Sequence, residues 1–267
     1  MNTLLFDAGN SRFKWALVRN GRLGAQRAVP REDLTGFTAW LRRAPAIGRV
    51  VGVNVAGARL ERELRAALRT AGAPRPEFIV STRAAAGVRN AYARPGRLGA
   101  DRWAAAIAAW HRAGCYRTVC AVCIGTALTI DLVDQDGYHR GGLIAPGPSL
   151  MLDSLLGRTA DIAPRAALDA RRSAAMRRPT GSRPLVPPLT GATMSAVEEG
   201  CLAAAAGFVD RTVNQVARAL NVRPVVFITG GASAPVIARI RSACRPCDEL
   251  VLRGVALIAE VPIRRRA

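Results

Sequence analysis

One pattern of strands and turns occurs twice in the chain, at residues 3–21 and again at residues 117–144. Each copy has an apolar strand, a loop of glycine and small polar residues, a second strand, and an Asx-Gly dipeptide before a third strand. Asn20-Gly21 and Asp136-Gly137 supply those dipeptides, which favour the tight turns of β-hairpins. A repeated unit of this kind indicates an internal duplication, so we predict two related domains that face each other across a cleft.

Outside the two copies, segments with apolar residues at helical spacing alternate with short apolar strands. This alternation predicts an α/β fold. We expect one domain in residues 1–115, a second in 116–250, and a helix within 251–267 that packs back on the first. Residues 160–188 are rich in Arg, Pro and Ala and are predicted to be irregular. The main helices are predicted at residues 32–43, 60–71, 101–113, 149–156, 193–219, 234–242 and 254–259.

The chain has 267 residues and a formal net charge of +20, and Lys14 is the single lysine among its 39 basic residues. Strong positive charge favours polyanionic partners. The arginines, however, are scattered and form no stripe or motif typical of nucleic-acid binding, so we expect no nucleic-acid partner. In a chain that uses Arg almost everywhere, the lone Lys indicates a position where a compact point charge suits phosphate.

The cysteines and the apolar segments bear on the compartment. No apolar run is long enough to span a bilayer, and no signal-peptide pattern precedes the first strand. We therefore expect a cytoplasmic protein with reduced thiols and no membrane association. Cys244 and Cys247 have the spacing of a redox or zinc motif, but no second pair supports it. Ordinary partly buried thiols are the favoured interpretation.

The loop from Asp7 to Lys14 carries the parts that phosphoryl transfer needs. Asp7 supplies a carboxylate for hydrated Mg²⁺, Gly9 lets phosphate oxygens approach the backbone, and Lys14 offsets developing negative charge. Taken alone, the loop fits a plain β-hairpin with an exposed Lys better, because a short motif of this kind is weakly specific.

Two further loops have the same character. Gly125 and Thr126 lie in a turn between two strands of the second copy, and Thr229-Gly230-Gly231 ends a strand before a helix. Backbone N–H groups at such strand ends bind phosphate oxygens. Each loop alone is unremarkable, whereas three Gly/Thr loops at strand ends in one chain together predict a nucleotide-phosphate site.

Asp101 and Arg102 lie at the start of a predicted helix, in Gly99-Ala100-Asp101-Arg102. Phosphorylation of a hydroxyl needs a carboxylate that receives or aligns the proton. A guanidinium can hold a carboxylate or phosphate through two hydrogen bonds. A helix-terminal Asp beside an exposed Arg is also a common structural feature, and taken alone these residues favour that interpretation.

In combination and in this order, the motifs resemble those of type III pantothenate kinases, and most of all the branch called Bvg accessory factor. The resemblance covers nearly the whole chain. It implies duplicated acetate-kinase/Hsp70/actin-like (ribonuclease H-like) domains with an ATP cleft between them. It also implies ATP-dependent phosphorylation of pantothenate to 4′-phosphopantothenate, the first step of coenzyme A biosynthesis. The motifs are Asp7-x-Gly-Asn-Ser-x-x-Lys14, Gly99-x-Asp-Arg102, Gly125-Thr-Ala-x-Thr-x-Asp131, Gly141-Gly-Leu-Ile-x-Pro-Gly147 and Thr229-Gly-Gly231.

The resemblance further implies a role for each matching residue. Asp101 corresponds to the catalytic base, and Asp7 to a carboxylate that contacts Mg²⁺ through water. The implied ATP-phosphate contacts are Phe6, Asp7, Ala8, Gly9, Asn10, Ser11, Arg12, Phe13, Lys14, Gly125, Thr126, Thr229, Gly230 and Gly231. The implied pantothenate contacts are Tyr92, Gly99, Ala100, Asp101, Arg102 and Thr193.

One position departs from the family pattern. The family has Asp-x-Gly-Thr at the second loop, and that Asp binds a monovalent cation, whereas this chain has Cys123. A neutral thiol is a poor ligand for K⁺ or NH₄⁺, which prefer oxygen. We therefore expect Mg²⁺ with ATP but weak activation by K⁺, with Asp131 as the residue that would have to compensate.

The resemblance also implies a homodimer, and we expect its surface on the helices at residues 101–113 and 193–219. Two alternatives to the pantothenate kinase stay open. One is a catalytically weak protein of the same fold that acts as a regulatory or transcription-linked accessory factor. The other is a kinase of the same superfamily with a different acceptor. The presence of Asp7 and Asp101 favours a kinase, and Tyr92 ahead of Gly-x-Asp-Arg favours pantothenate.

Overall fold

A computed structural model describes residues 1–172 and 186–263 of the chain, and two large β-sheets dominate it. The first sheet contains β1 (Thr3–Ala8), β2 (Arg12–Arg19), β3 (Arg22–Leu23), β4 (Arg27–Pro30), β5 (Arg49–Asn54) and β6 (Pro76–Phe78). A small hairpin follows, made of β7 (Ala84–Ala85) and β8 (Val88–Arg89). The second sheet contains β9 (Val119–Ile124), β10 (Ala127–Val133), β11 (His139–Pro146), β12 (Val225–Thr229) and β13 (Cys244–Pro246).

The two large sheets have the same topology. Their strand orders are β3-β2-β1-β5-β6 and β11-β10-β9-β12-β13, and β4 adds to the first by pairing with β2. In each sheet the first three strands pair antiparallel and the remaining two pair parallel. The predicted duplication and the α/β fold class are thus confirmed. The domain limits at residues 115 and 250 stay a prediction, and part of the 251–267 segment lies outside the described residues.

The helices connect the strands and cover the sheets. They are α1 (Thr35–Leu41), α2 (Ala58–Thr70), α3 (Ala100–Arg112), α4 (Pro148–Arg158), α5 (Ile162–Arg172), α6 (Thr193–Leu220), α7 (Ser233–Ile237) and α8 (Leu250–Ile258). No helix within the described residues combines the length and apolarity that crossing a bilayer requires.

Helices α3 and α8 form the centre of the molecule. Side chains of both helices share one buried cluster with Leu5 of β1 and Val119 of β9, so this pair joins the two sheets. The helices approach closely, because a Cβ added at Gly254 would lie only 1.9 Å from the Ala104 carbonyl oxygen. Small residues at such a crossing allow the close packing of protein interiors.

The outer faces of the sheets have their own apolar clusters. Phe37 of α1 and Leu64 of α2 pack with Phe6 and Phe13 against the first sheet. Ala205 and neighbouring apolar residues of α6 pack in the same way on the second sheet. The amphipathic helices predicted from sequence spacing therefore bury their apolar faces on the sheets.

Two structural expectations were wrong. Residues 162–172, predicted to be irregular, form α5, whereas residues 173–185 of that segment lie outside the described part of the chain. The predicted dimer surface on the helix at 101–113 is also wrong, because residues Arg102–Trp110 of α3 are buried between α8 and the sheets. Its alanines serve close internal packing, so an Ala-rich helix here does not indicate a surface.

Candidate functional site

The first predicted phosphate loop is the turn between β1 and β2. Asp7 and Lys14 are directly opposite each other in the antiparallel register, and Lys14 Nζ lies 3.6 Å from Asp7 Oδ2. The turn closes through a hydrogen bond of 3.1 Å from the Gly9 N–H to the Arg12 carbonyl oxygen. The hairpin therefore delivers a carboxylate and an ammonium to one side of the sheet, while the turn itself stays exposed.

The second and third loops meet the first. Ser11 Oγ and Thr126 Oγ1 are 2.5 Å apart, so a hydroxyl bridge joins the first loop to the second. A Cβ added at Gly231 would lie 3.6 Å from Nη1 of Arg12, so the third loop also borders the first. Three loops separated by more than 100 residues in sequence thus form one polar surface between the two sheets.

Glycines make this meeting of backbones possible. Gly230 has a φ of +118°, and a Cβ there would lie 2.0 Å from the Ile124 carbonyl oxygen. A Cβ at Gly147 would lie equally close to the Gly125 carbonyl oxygen, while the Gly147 N–H donates to Thr126 O. Only glycine fits at either position.

The helix after Gly231, α7, has five residues. Phosphate binding there would therefore depend on loop N–H groups more than on a helix dipole.

Asp101 lies in the first turn of α3, where its Oδ1 accepts a hydrogen bond of 2.8 Å from the Arg102 N–H. Burial raises the pKa of Asp101 above its ordinary value, the hydrogen bond and the charge of Arg102 oppose this rise, and the negative charge of Asp131 adds to it. A carboxylate with a raised pKa is better matched to accepting a proton near neutral pH.

Asp7 and Asp101 influence each other electrostatically. Burial raises the pKa of Asp7 to about 6, Lys14 opposes the rise, and the charge of Asp101 adds to it. The negative charge at the start of α3 therefore acts on the phosphate loop that carries Asp7. The role of Asp101 as a base beside an ATP-phosphate site stays a prediction.

Arg102 is held by partners from both halves of the chain. Its Nε donates to Asp131 Oδ2 at 2.9 Å, its Nη2 to Asp131 Oδ1 at 2.8 Å, and its Nη1 to the Tyr92 hydroxyl at 3.3 Å. His139 Nε2 lies 2.9 Å from Asp131 Oδ1. The sequence alone indicates Asp131 only as a possible cation ligand and gives no role to His139. The one sequence signal for a role of Asp131 was its place at the end of the motif Gly125-Thr-Ala-x-Thr-x-Asp131.

The other predicted substrate contacts occupy different elements. Tyr92 lies after β8, and its N–H donates to Asn90 Oδ1 at 3.0 Å. Gly99 precedes α3 and its carbonyl accepts the Trp103 N–H. Thr193 is the first residue of α6 and is half-buried. Tyr92 and Asp101 are thus linked through Arg102.

Comparison with known proteins identifies the family. The family model for type III pantothenate kinase matches residues 3–215. A type III pantothenate kinase of Aromatoleum aromaticum is 36% identical over 258 residues, covering 96% of this chain and 97% of that protein. One from Herminiimonas arsenicoxydans is 39% identical over 266 residues, covering 96% of each. The chain belongs to the type III pantothenate kinase family.

Solved structures support the fold independently. The ethanolamine utilization protein EutJ from Carboxydothermus hydrogenoformans has a TM-score of 0.51 at 14% identity, covering 97% of this chain and 90% of that one. A chain of the PilM-PilN type IV pilus biogenesis complex has a TM-score of 0.52 at 11% identity, covering 96% and 97%. At these identities the likeness concerns the fold alone, which is the predicted acetate-kinase/Hsp70/actin-like architecture.

Family membership raises the question of which ions the site can hold. Asp7 offers a carboxylate beside the loop N–H groups, and Mg²⁺ in such sites takes one or two carboxylates with water and substrate phosphates. The site fits that mode. Within the described residues, no group of three or more His, Cys, Asp or Glu side chains is arranged to hold a metal.

The residues at the monovalent-cation position do not fit K⁺ or NH₄⁺. Burial, together with the negative charges of Asp101 and Asp131, raises the pKa of the Cys123 thiol to about 12, so the thiol is neutral. Asp131 does not compensate, because both its carboxylate oxygens accept hydrogen bonds from Arg102 and one also contacts His139. A neutral thiol, and a carboxylate whose two oxygens already accept hydrogen bonds, are both poor ligands for a monovalent cation.

Proposed function

We propose that this chain transfers the γ-phosphoryl group of ATP to the 4′-hydroxyl of pantothenate. The product would be 4′-phosphopantothenate, and the reaction is the first step of coenzyme A biosynthesis. The observation that carries the proposal is the half-buried Asp101 carboxylate at the start of α3, whose negative charge helps to raise the pKa of Asp7 in the phosphate loop. The curated relatives, named as type III pantothenate kinases over nearly their full length, supply the acceptor.

In this proposal the three loops bind the nucleotide phosphates. The N–H groups around Gly9, Gly125 and Gly231 contact phosphate oxygens, and Lys14 offsets the charge that develops on the transferred group. Asp7 holds the Mg²⁺ that accompanies ATP, through water, and the ion neutralises charge on the phosphates when bound.

Asp101 then acts as the general base. Its raised pKa keeps it able to accept the proton of the substrate hydroxyl as that oxygen attacks phosphorus. Tyr92 and Arg102 border the acceptor side of the site. The presence of both Asp7 and Asp101 favours the kinase over a regulatory factor that has lost activity, because such a factor has no use for either carboxylate.

A coupled ADP-release assay with ATP, Mg²⁺ and pantothenate tests the function. We expect ADP release that depends on pantothenate, with a product one phosphoryl group heavier by mass spectrometry. Glycerol in place of pantothenate is the control for a kinase of broad alcohol specificity. Equal ADP release with and without pantothenate would contradict the proposed acceptor.

The ion requirement is a separate prediction. Titrating K⁺ against choline at constant ionic strength should change activity by less than about twofold, because the neutral Cys123 thiol is a poor ligand for a hard cation. The matched variant Cys123→Asp restores an oxygen ligand and should gain a K⁺ response. Steep K⁺ activation of the native protein would show that other groups bind the cation.

We infer that the protein is a homodimer and that its interface includes β11 and α4. β11 is the edge strand of the second sheet, and edge strands tend to pair or be covered. Leu143 and Ile144 on β11 are exposed, as are Leu150 and Leu155 on α4, and the two elements are in contact. An apolar patch spread over two adjoining elements is typical of an interface between subunits.

Sedimentation velocity tests the dimer. Ile144→Glu should convert it to a monomer, because a carboxylate would be buried without a partner. Val80→Glu is the matched control, since Val80 and Ile144 are both 64% exposed and Val80 lies outside the patch. A native protein that sediments as a monomer would end this inference. We place the enzyme in the cytoplasm, where ATP is available.

A further inference from the structure

The guanidinium of Arg102 does not pair with the carboxylate of the adjacent residue, Asp101. Arg102 follows Asp101 directly in α3, yet its fork-shaped head pairs through two hydrogen bonds with Asp131 on β10, 29 positions away. The side chains of Arg102 and Asp131 are 7% and 2% exposed. The remaining described bond of the head goes to the Tyr92 hydroxyl. Asp131 therefore determines where this buried positive charge lies.

The surroundings are built to keep Asp131 in place. His139 on β11 donates through Nε2 to Asp131 Oδ1 at 2.9 Å, and its side chain is fully buried. Gly142, on the same strand, packs directly on the pair. A Cβ there would lie 2.5 Å from both Arg102 Nη2 and Asp131 Oδ1. The pair fits only because position 142 has no side chain.

Loss of the ion pair between Arg102 and Asp131 would change the pKa of Asp101, the proposed base. The ionisable groups whose charges act on Asp101 or respond to it are Arg102, Asp131, Asp7 and Cys123. Arg102 lowers the pKa of Asp101 and Asp131 raises it. A guanidinium freed from Asp131 would be drawn to the adjacent Asp101, and an ion pair there would stabilise the charged carboxylate and weaken it as a base.

Resting on the proposed function, we propose that Asp131 is a positioning residue for the phosphoryl transfer. It holds the Arg102 guanidinium against Tyr92 and away from Asp101. Asp101 thereby stays free to accept the proton of the substrate hydroxyl, and Tyr92 is fixed on the acceptor side. His139 and Gly142 support this arrangement from β11.

The pH dependence of kcat/KM for pantothenate tests the proposal. Asp131→Asn keeps the shape of the side chain but removes its charge. We expect the acid limb of the variant's pH profile to move to lower pH. The pKa of Asp101 should fall, because Asp101 loses a neighbouring negative charge and the freed Arg102 guanidinium moves close to it. We also expect kcat to fall by about 10²-fold, the effect of a misplaced reacting group. Asp134→Asn is the matched control, since Asp134 is buried on the same hairpin and pairs with Arg140 at 3.1 Å.

A double variant separates positioning from a general loss of structure. Arg102→Met combined with Asp131→Asn removes the guanidinium that the single variant leaves uncompensated. We expect the acid limb to return to the native position, while KM for pantothenate is raised, because Arg102 no longer donates to the Tyr92 hydroxyl. If Asp131→Asn only disturbed the structure, adding Arg102→Met would not return the acid limb to its native position.

The outcomes distinguish this inference from the proposed function. If the native protein does not phosphorylate pantothenate, the function itself is wrong. If the native protein is active and Asp131→Asn keeps the native acid limb and kcat, only the role of Asp131 is overturned. If the single variant does not fold, the double variant decides, and a native KM for pantothenate in it would overturn the proposal.

Discussion

Asp101→Asn is expected to lower kcat for pantothenate phosphorylation by about 10²- to 10⁴-fold, the usual contribution of a general base. Asn has the same shape but cannot accept a proton. ATP should still bind, because the three phosphate loops do not include Asp101. Turnover in the coupled assay, with ATP affinity measured separately by calorimetry, gives both values.

The pH profile of the native enzyme makes this prediction sharper. Asp101 must be ionised to act as a base, and Asp7 must be ionised to support the metal, so activity falls as the pH drops through either pKa. Because burial raises both pKa values, the acid limb of the pH profile should lie above the range of an ordinary Asp. Asp136→Asn is the control, since Asp136 is exposed in a hairpin turn and Asn-Gly suits that turn as well as Asp-Gly does. Equal kcat in native protein and Asp101→Asn would remove Asp101 as the base.

Local signals in the sequence were sufficient for the strands and for the duplication. Asn20-Gly21 and Asp136-Gly137 place each hairpin turn correctly, because turn chemistry is a property of adjacent residues. The three phosphate loops were predicted for the same reason. Each follows a strand within a few residues, and the repeated order of strands brings their ends together.

Partners from distant strands could not be predicted in this way. Asp131 meets Arg102 only because β10 lies against α3, and His139 joins them from β11, so the network depends on tertiary packing. The burial of α3 was missed for a related reason. An Ala-rich helix suits an interface and an interior equally well, and only the close approach of Gly254 to Ala104 decides between them.

The second large effect concerns Asp7, where activity and stability should change in opposite directions. Asp7→Asn is expected to lower kcat by about 10²-fold or more, because the charge that supports the metal and phosphates is lost. The same change should stabilise the folded protein at pH 8 by about 3 kcal/mol, since the pKa of this buried carboxyl is raised from 3.8 to about 6.

The sign follows from proton binding. At pH values well below 3.8 the carboxyl is protonated in both the folded and the unfolded chain, so native protein and variant should be equally stable. Between pH 4 and 6 the unfolded chain releases the proton more readily, and the native protein loses stability that Asn retains. Above pH 6 the difference is constant. Lys14, 19% exposed, can turn to water when its partner is neutral.

Urea unfolding at pH 4 and pH 8 measures the difference. Asp210→Asn is a control of opposite sign. Burial would raise the pKa of Asp210, but hydrogen bonds from Ser242 and Arg241 outweigh burial and lower it, so this variant should lose stability at pH 8. If Asp7→Asn is instead less stable than native protein at pH 8, Asp7 holds the fold together. If the variant is more stable but inactive, the buried Asp7 charge lowers the stability of the native protein and is needed for activity. This is expected of a residue that binds metal and phosphate.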